Sequence, residues 1–291
     1  MKLLVLLLSL VNGFLLNNPI SIYKKDFQSS IIKVYEPKLL DKKNMTSIVF
    51  YSGANSIIPA DIYSNFIKSL NNFNFSVSVV TNNNEATTEF LYSIKNDYKE
   101  IIALSHSSGC VNAINTINKQ ENIKKAVFLD PVDNSFLVNN NFPFSNNNNQ
   151  YNFNYIENIL ILRAEKSYKG SIFPKLEIPF IPAFALNSEK LEETNPDLRI
   201  TKISAENYGH SDVLDSLWAD LMHGSSISKG NENRDQSNLN SYIDWLAEQI
   251  HDFINKNIEE NVEFSNTVSS EEPDNPYSRS LFNLYNDDRY G

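Results

Sequence analysis

The chain has one cysteine, Cys110, among its 291 residues. That excludes an internal disulfide framework and any metal site built from several cysteines. No glycine-rich phosphate loop and no G-x-G-x-x-G is present, so nucleotide-binding architectures lose support. No repeat of 20 to 50 residues is visible, which sets aside solenoids and propellers. Positive charge is in deficit, with 25 Lys and Arg against 35 Asp and Glu and a net charge of −10. A nucleic-acid binder needs the reverse, because its affinity rests on neutralising phosphates. Apolar and aromatic residues are plentiful: 18 Phe, 14 Tyr and two Trp within a 41% hydrophobic composition. That is enough for a sizeable core in one large domain or two small ones, and it excludes a wholly disordered chain. The 42 asparagines, in runs such as 82–84 and 146–149, read as loop composition and not as chemistry.

Residues 1–13 combine a lysine, a short apolar run and a small residue, Gly13. This is the pattern of a secretory signal peptide, too short to span a membrane. With Phe14 following, it also suits the first part of a plastid-targeting leader, with 15–37 as transit sequence or, equally, the domain's first strands. The secretory lumen or a complex plastid is the expected compartment. Two sequons, at Asn44 and Asn74, would be usable there. Beyond the leader no run approaches the roughly 18 to 20 apolar residues of a transmembrane helix. The domain is expected over 30–258. Residues 259–291, rich in Glu, Asp, Asn, Ser and Pro, read as a disordered acidic tail.

Between the ends, short apolar runs alternate with amphipathic stretches. Strands are predicted at 47–51, 75–80, 101–104, 126–129, 159–162 and 198–203. Helices are predicted from Ile62, Phe66 and Leu70, from Phe90, Leu91, Ile94 and Tyr98, and from Cys110, Val111, Ala113, Ile114 and Ile117. Ile243, Leu246, Ile250 and Ile254 form the inward stripe of a last one. Continuous apolar strands separated by helices imply a mostly parallel α/β sheet covered on both faces.

The strand at 101–104 runs directly into Ser105-His106-Ser107-Ser108-Gly109-Cys110, where a helix begins. A G-x-S-x-G sequence in that position puts a nucleophilic serine on a sharp turn above the sheet. Ser107 is the candidate, with Gly109 satisfying the close backbone approach and Ser105 replacing the first glycine. The N–H of Ser108, at the helix start, would face an oxyanion. A serine hydroxyl needs an imidazole to take its proton and an acid to orient that imidazole. Of four histidines, His210 follows the last strand beside Gly209, the place the chain order Ser–acid–His requires. His106 would point away from Ser107, as packing or a hydrogen-bond donor; His251 falls on the polar side of the last helix, and His223 in a loop. The acid has three candidates. Asp130, fixed at a strand end before Pro131, is favoured; Glu165 follows the next strand, and Asp133 lies further into the loop. A second oxyanion donor would come from the Ser52-Gly53-Ala54-Asn55 loop: the N–H of Ala54, with the Asn55 amide assisting. Cys110 is expected buried and inert.

Three segments resemble the chlorophyllase branch of the α/β-hydrolases. Residues 105–110 are similar to that family's G-H-S-x-G-G, Leu129-Asp130-Pro131-Val132 to its L-D-P-V, and Tyr208-Gly209-His210-Ser211-Asp212-Val213-Leu214-Asp215 to its Y-G-H-x-D-x-L-D. Ser52-Gly53-Ala54 stands where the family has an H-G-F turn. Ser105 and Cys110 replace two family glycines, and Ser52 replaces a histidine. The resemblance spans about 48–255 and implies an α/β-hydrolase fold with Ser107, Asp130 and His210 as triad. It implies a metal- and cofactor-independent cleavage of the phytyl ester of chlorophyll. A general lipase or carboxylesterase and a non-catalytic pigment or lipid carrier are the alternatives. The expected partner is a lipophilic ester, met at a membrane surface, with no nucleic acid involved. Phe173, Phe180 and Phe184, in the aromatic, proline-containing stretch 173–186, are the expected pocket residues.

Overall fold

The computed structural model describes residues 20–27, 30–38, 41–132, 153–169, 171–173, 178–179, 188–224 and 236–255. The expected leader at 1–13, the expected acidic tail at 259–291, Asp133, Phe180 and Phe184 lie outside them.

Among the described residues eight strands form the main sheet: β1 (Ile20–Phe27), β2 (Ser30–Pro37), β3 (Thr46–Tyr51), β4 (Ser76–Val80), β5 (Glu100–His106), β6 (Ile123–Leu129), β7 (Asn158–Ala164) and β10 (Arg199–Ala205). Their spatial order is β1-β2-β4-β3-β5-β6-β7-β10. From β4 to β10 every pairing is parallel, whereas β1 on β2 and β2 on β4 are antiparallel. A separate antiparallel pair, β8 (Ser171–Phe173) with β9 (Ile178–Pro179), holds Phe173. The helices are α1 (Ser64–Asn72), α2 (Asn84–Ile94), α3 (Gly109–Ile117), α4 (Ser188–Thr194), α5 (Ser216–Gly224) and α6 (Gln236–Asn255). None of them is long and apolar enough to cross a membrane.

The near-continuous apolar strands make sense once their two faces are separated, because successive side chains point to opposite sides. Ile48, Phe50, Ile102, Leu104, Val127, Leu129, Leu160 and Leu162 face one core with Phe66 and Leu70 of α1 and Tyr242, Leu246 and Ile250 of α6. Val49, Tyr51, Ile101, Ala103, Ala126, Phe128, Ile159 and Ile161 face the other, with Phe90, Leu91 and Ile94 of α2 and Cys110, Ala113 and Ile117 of α3.

The sheet begins with β1, ahead of residue 30 where the sequence placed the domain start. Residues 20–27 and 30–37 are thus strands, within the stretch read as transit sequence or as the domain's first strands. They are hard to read because β1 is only half-buried along its length. Tyr23 and Lys42 anchor it, both binding the buried Glu36 carboxylate at 2.7 Å. Pro59 precedes a 3-10 turn, Ala60–Tyr63, which leads into α1. His251, expected on the polar side of α6, lies half-buried with its ring 4.8 Å from that of Phe73.

One asparagine of the 82–84 run has a structural task. Asn83 Oδ1 accepts from the N–H groups of Glu85 and Ala86, both at 3.1 Å, and Nδ2 donates to Ser30 Oγ. It therefore caps α2 and ties it to β2. Asn83→Ala should cost about 1 kcal/mol, read as a lower urea midpoint at unchanged slope.

Candidate active site

The parallel strands end along one edge, and every site residue follows one of those ends. Residues 53–56 follow β3, Ser107 follows β5, Asp130 follows β6, Ser167 lies just beyond β7 and His210 lies beyond β10. Loops at this edge are where parallel sheets bind ligands.

Ser107 has φ of 54°. This left-handed conformation, uncommon for a residue with a side chain, is what reverses the chain between β5 and α3. Its N–H bonds Leu129 O at 3.0 Å, and its carbonyl accepts from Val132 N at 3.2 Å. The serine is thus clamped to the end of β6. Gly109 shows why the next turn of chain tolerates no side chain: a Cβ there would stand 2.3 Å from Ser52 O and 2.4 Å from Tyr51 O. Ser105 and Cys110, which replace the glycines of the resembled motif, are both completely buried. Ser105 Oγ has no hydrogen-bond partner among the described residues.

Ser107 Oγ lies 2.8 Å from His210 Nε2. His210 Nδ1 lies 3.4 Å from Asp130 Oδ2, close as an ion pair but too long for a well-formed hydrogen bond. A carboxylate only accepts, so a proton on Nδ1 faces Asp130 and leaves Nε2 free to receive the serine's. His210 and Asp130 are 8% and 5% exposed. Asp130 also has a left-handed backbone, with φ of 40°, and its N–H bonds Leu162 O at 2.8 Å. Its carboxylate accepts from Ala164 N at 2.8 Å and from Ser167 Oγ at 2.6 Å. Those two bonds offset the desolvation that a buried anion would otherwise suffer. Glu165, the second acid candidate, is exposed.

Across from the serine, Ala54, Asn55 and Ser56 form one left-handed turn, with φ of 50°, 55° and 62°. The buried Ser52 Oγ closes it by donating to Ile58 O at 2.6 Å, and Ser56 N bonds Ser52 O at 2.9 Å. The turn is docked on α3: Asn55 N–H donates to Ser108 Oγ at 3.0 Å, and Asn112 Nδ2 donates to Asn55 O at 2.8 Å. This brings the loop carrying Ala54 to the N-terminus of α3. Asn55 Oδ1 is buried with no hydrogen-bond partner among the described residues.

Several contributors escape a reading of the sequence. Ser167 is one. Tyr242 is another: it stacks on Tyr208 at 4.1 Å, and burial, then the Asp130 and Asp212 charges, push its phenol well above its ordinary pKa. The two aspartates after His210 had a signal in their motif. Asp212, fully buried, accepts from Gly209 N–H at 2.8 Å and closes the His210 turn. Asp215 accepts from Asn65 N at 3.0 Å and Ser64 N at 3.3 Å, so it caps α1 from the same loop. Among the described residues no group of three or more His, Cys, Asp or Glu could hold a metal ion.

No protein-family model matches the chain, and no curated protein sequence does. Solved structures do resemble it. An esterase from Pyrobaculum calidifontis superposes with a TM-score of 0.51 at 12% identity, covering 87% of this chain and 91% of its own. The Francisella virulence factor BioJ gives 0.51 at 14%, covering 86% and 90%. A point mutant of the esterase rPPE gives 0.51 at 11%, covering 85% and 88%. The chain has the α/β-hydrolase fold.

His106, 3% exposed, is kept neutral: burial first, and the neighbouring His210 second, hold its pKa well below the usual 6.5. In the unfolded chain it would protonate near 6.5. Its contribution to stability is therefore complete above about pH 6.5 and declines as pH falls below that, by at most about 1.4 kcal/mol per pH unit. Urea midpoints from pH 7.5 to 5 should fall in the wild type and fall less steeply in His106→Gln.

Proposed function

We propose that the protein is a serine carboxylic-ester hydrolase. The observation that carries this reading is the Ser107 hydroxyl 2.8 Å from His210 Nε2, with the Asp130 carboxylate behind Nδ1. Ser107 attacks the ester carbonyl as Nε2 takes its proton, and Asp130 stabilises the imidazolium. The N–H groups of Ser108 and Ala54 hold the oxyanion, at the start of α3 where the helix dipole favours negative charge. His210 then returns the proton to the leaving alcohol. Water, deprotonated by the same imidazole, cleaves the acyl-enzyme, so ester and water become acid and alcohol. The 3.4 Å contact between His210 and Asp130 shortens as charge develops on the ring, as contacts in unliganded sites commonly do.

A broad carboxylesterase acting on lipophilic esters is the leading substrate reading. Two of the solved structures named above are esterases, which supports an ester as substrate. The aromatic stretch that includes Phe173, Phe180 and Phe184 supports an apolar one, taken from a membrane surface or micelle, and the Asn55 amide would contact it. A second reading, cleavage of the phytyl ester of chlorophyll, rests on the match of residues 208–215 to the chlorophyllase motif.

A fluorophosphonate should label wild-type protein and not Ser107→Ala. Turnover of a short nitrophenyl ester should drop by at least about a thousandfold in Ser107→Ala and His210→Ala. Glu165→Gln should stay within about twofold of wild type, since Asp130 is the acid. Full turnover by Ser107→Ala would falsify the nucleophile. Side-by-side rates on nitrophenyl butyrate, triacylglycerol and chlorophyll decide between the substrate readings. Chlorophyll binding without labelling or turnover would favour a carrier.

A further inference from the structure

Behind the serine and the imidazole runs a buried chain of hydrogen bonds that the mechanism above does not use. Gly53 N–H donates to Tyr63 OH at 3.0 Å. Tyr63 OH lies 2.8 Å from His106 Nδ1, and His106 Nε2 lies 2.9 Å from the carbonyl oxygen of His210. A carbonyl only accepts, so Nε2 carries the proton of His106. Nδ1 is then an acceptor and Tyr63 its donor, which leaves the phenol oxygen to receive Gly53 N–H. Every link has one direction, and each polar atom is used.

The packing is as close as the bonding. The His106 ring lies 4.7 Å from that of His210, and Tyr63 meets His106 edge-on at 5.7 Å. A Cβ on Gly53 would stand 3.1 Å from Tyr63 OH and 3.3 Å from His106 Nδ1. Tyr63 has no exposed surface and His106 has 3%. The two ends of the chain are the turn that carries Ala54 and the main chain that carries the imidazole of His210. These segments are more than 150 residues apart in sequence and are brought together at the sheet edge.

We infer that Tyr63 and His106 are positioning residues that hold the oxyanion turn and the His210 loop in register with each other; this rests on the esterase reading above. Neither touches substrate. They act by fixing the distance between the group that takes the proton and the N–H that receives the negative charge. A misplacement of about one ångström between such groups can cost about a hundredfold in rate.

The decisive variant is Tyr63→Phe, which removes one oxygen atom and keeps the ring. Turnover is measured per active site, titrated with a fluorophosphonate, on a short nitrophenyl ester. The expected result is a kcat about 10- to 100-fold lower with KM within about threefold. His106→Gln, which retains a donor, should recover more of kcat than His106→Leu. Combining Tyr63→Phe with His106→Leu should cost little beyond the larger single loss, because both break one chain. A purely structural role would lower the melting temperature or the titratable fraction and leave kcat per site alone. That result sinks the inference. Nitrogen-15 NMR of the wild-type histidines needs no variant: His106 should show a protonated Nε2 and an unprotonated, hydrogen-bonded Nδ1 at pH 7. The opposite tautomer would overturn the chain's direction. Inactive Ser107→Ala beside wild-type-like Tyr63→Phe rejects this inference alone. Fully active Ser107→Ala rejects the esterase reading beneath it.

Discussion

The backbone at the ends of β3, β5 and β6 is held in conformations that residues with side chains normally avoid, and the candidate site depends on that. Among the described residues six non-glycine positions have left-handed φ, and five of them are Ala54, Asn55, Ser56, Ser107 and Asp130. At Ala54, Ser56 and Ser107 this costs about 1 to 2 kcal/mol each relative to ordinary backbone, and less at Asn55 and Asp130, whose short polar side chains tolerate it. The strain persists because the surroundings over-determine it. The parallel ladder continues past the strands, through Ser107 N to Leu129 O and Asp130 N to Leu162 O, as a staircase from β5 to β7. Local strain is thus opposed by the most buried part of the sheet, which is also where the reactive side chains must be aimed.

Much of this was legible in the sequence, and the reasons differ by element. The central strands announce themselves because both faces are buried, leaving unbroken runs such as ILIL at 159–162. The helices show apolar stripes because each buries one side. β1 gives neither signal: it lies half-exposed at the sheet edge, where pairing with β2 does the work of a core. Ser107, Asp130 and His210 could be proposed because each follows a strand and has turn-forming neighbours. Ser167 and Tyr63 could not. Their partners lie 37 and 43 residues away, and nothing about a serine or a tyrosine marks such a contact beforehand.

The segment after His210 shows how a motif can be read twice. As a string, Tyr208 to Asp215 is a resemblance. In the fold its two carboxylates have separate tasks: Asp212 shapes the turn that presents the imidazole, and Asp215 fastens that turn to the start of α1. Tyr63 immediately precedes α1, so the histidine loop is attached to the same corner by side chain and by helix cap.

Gly109 leaves no gap between the start of α3 and the carbonyls of Tyr51 and Ser52. A helix start and a strand end pressed together so closely move as one unit. Heating should therefore not disarm the protein gradually; the temperature at which it stops working should coincide with the one at which the sheet melts. At that contact, greater heat resistance cannot come from added side chains, since a Cβ on Gly109 would already collide with the Tyr51 and Ser52 carbonyls.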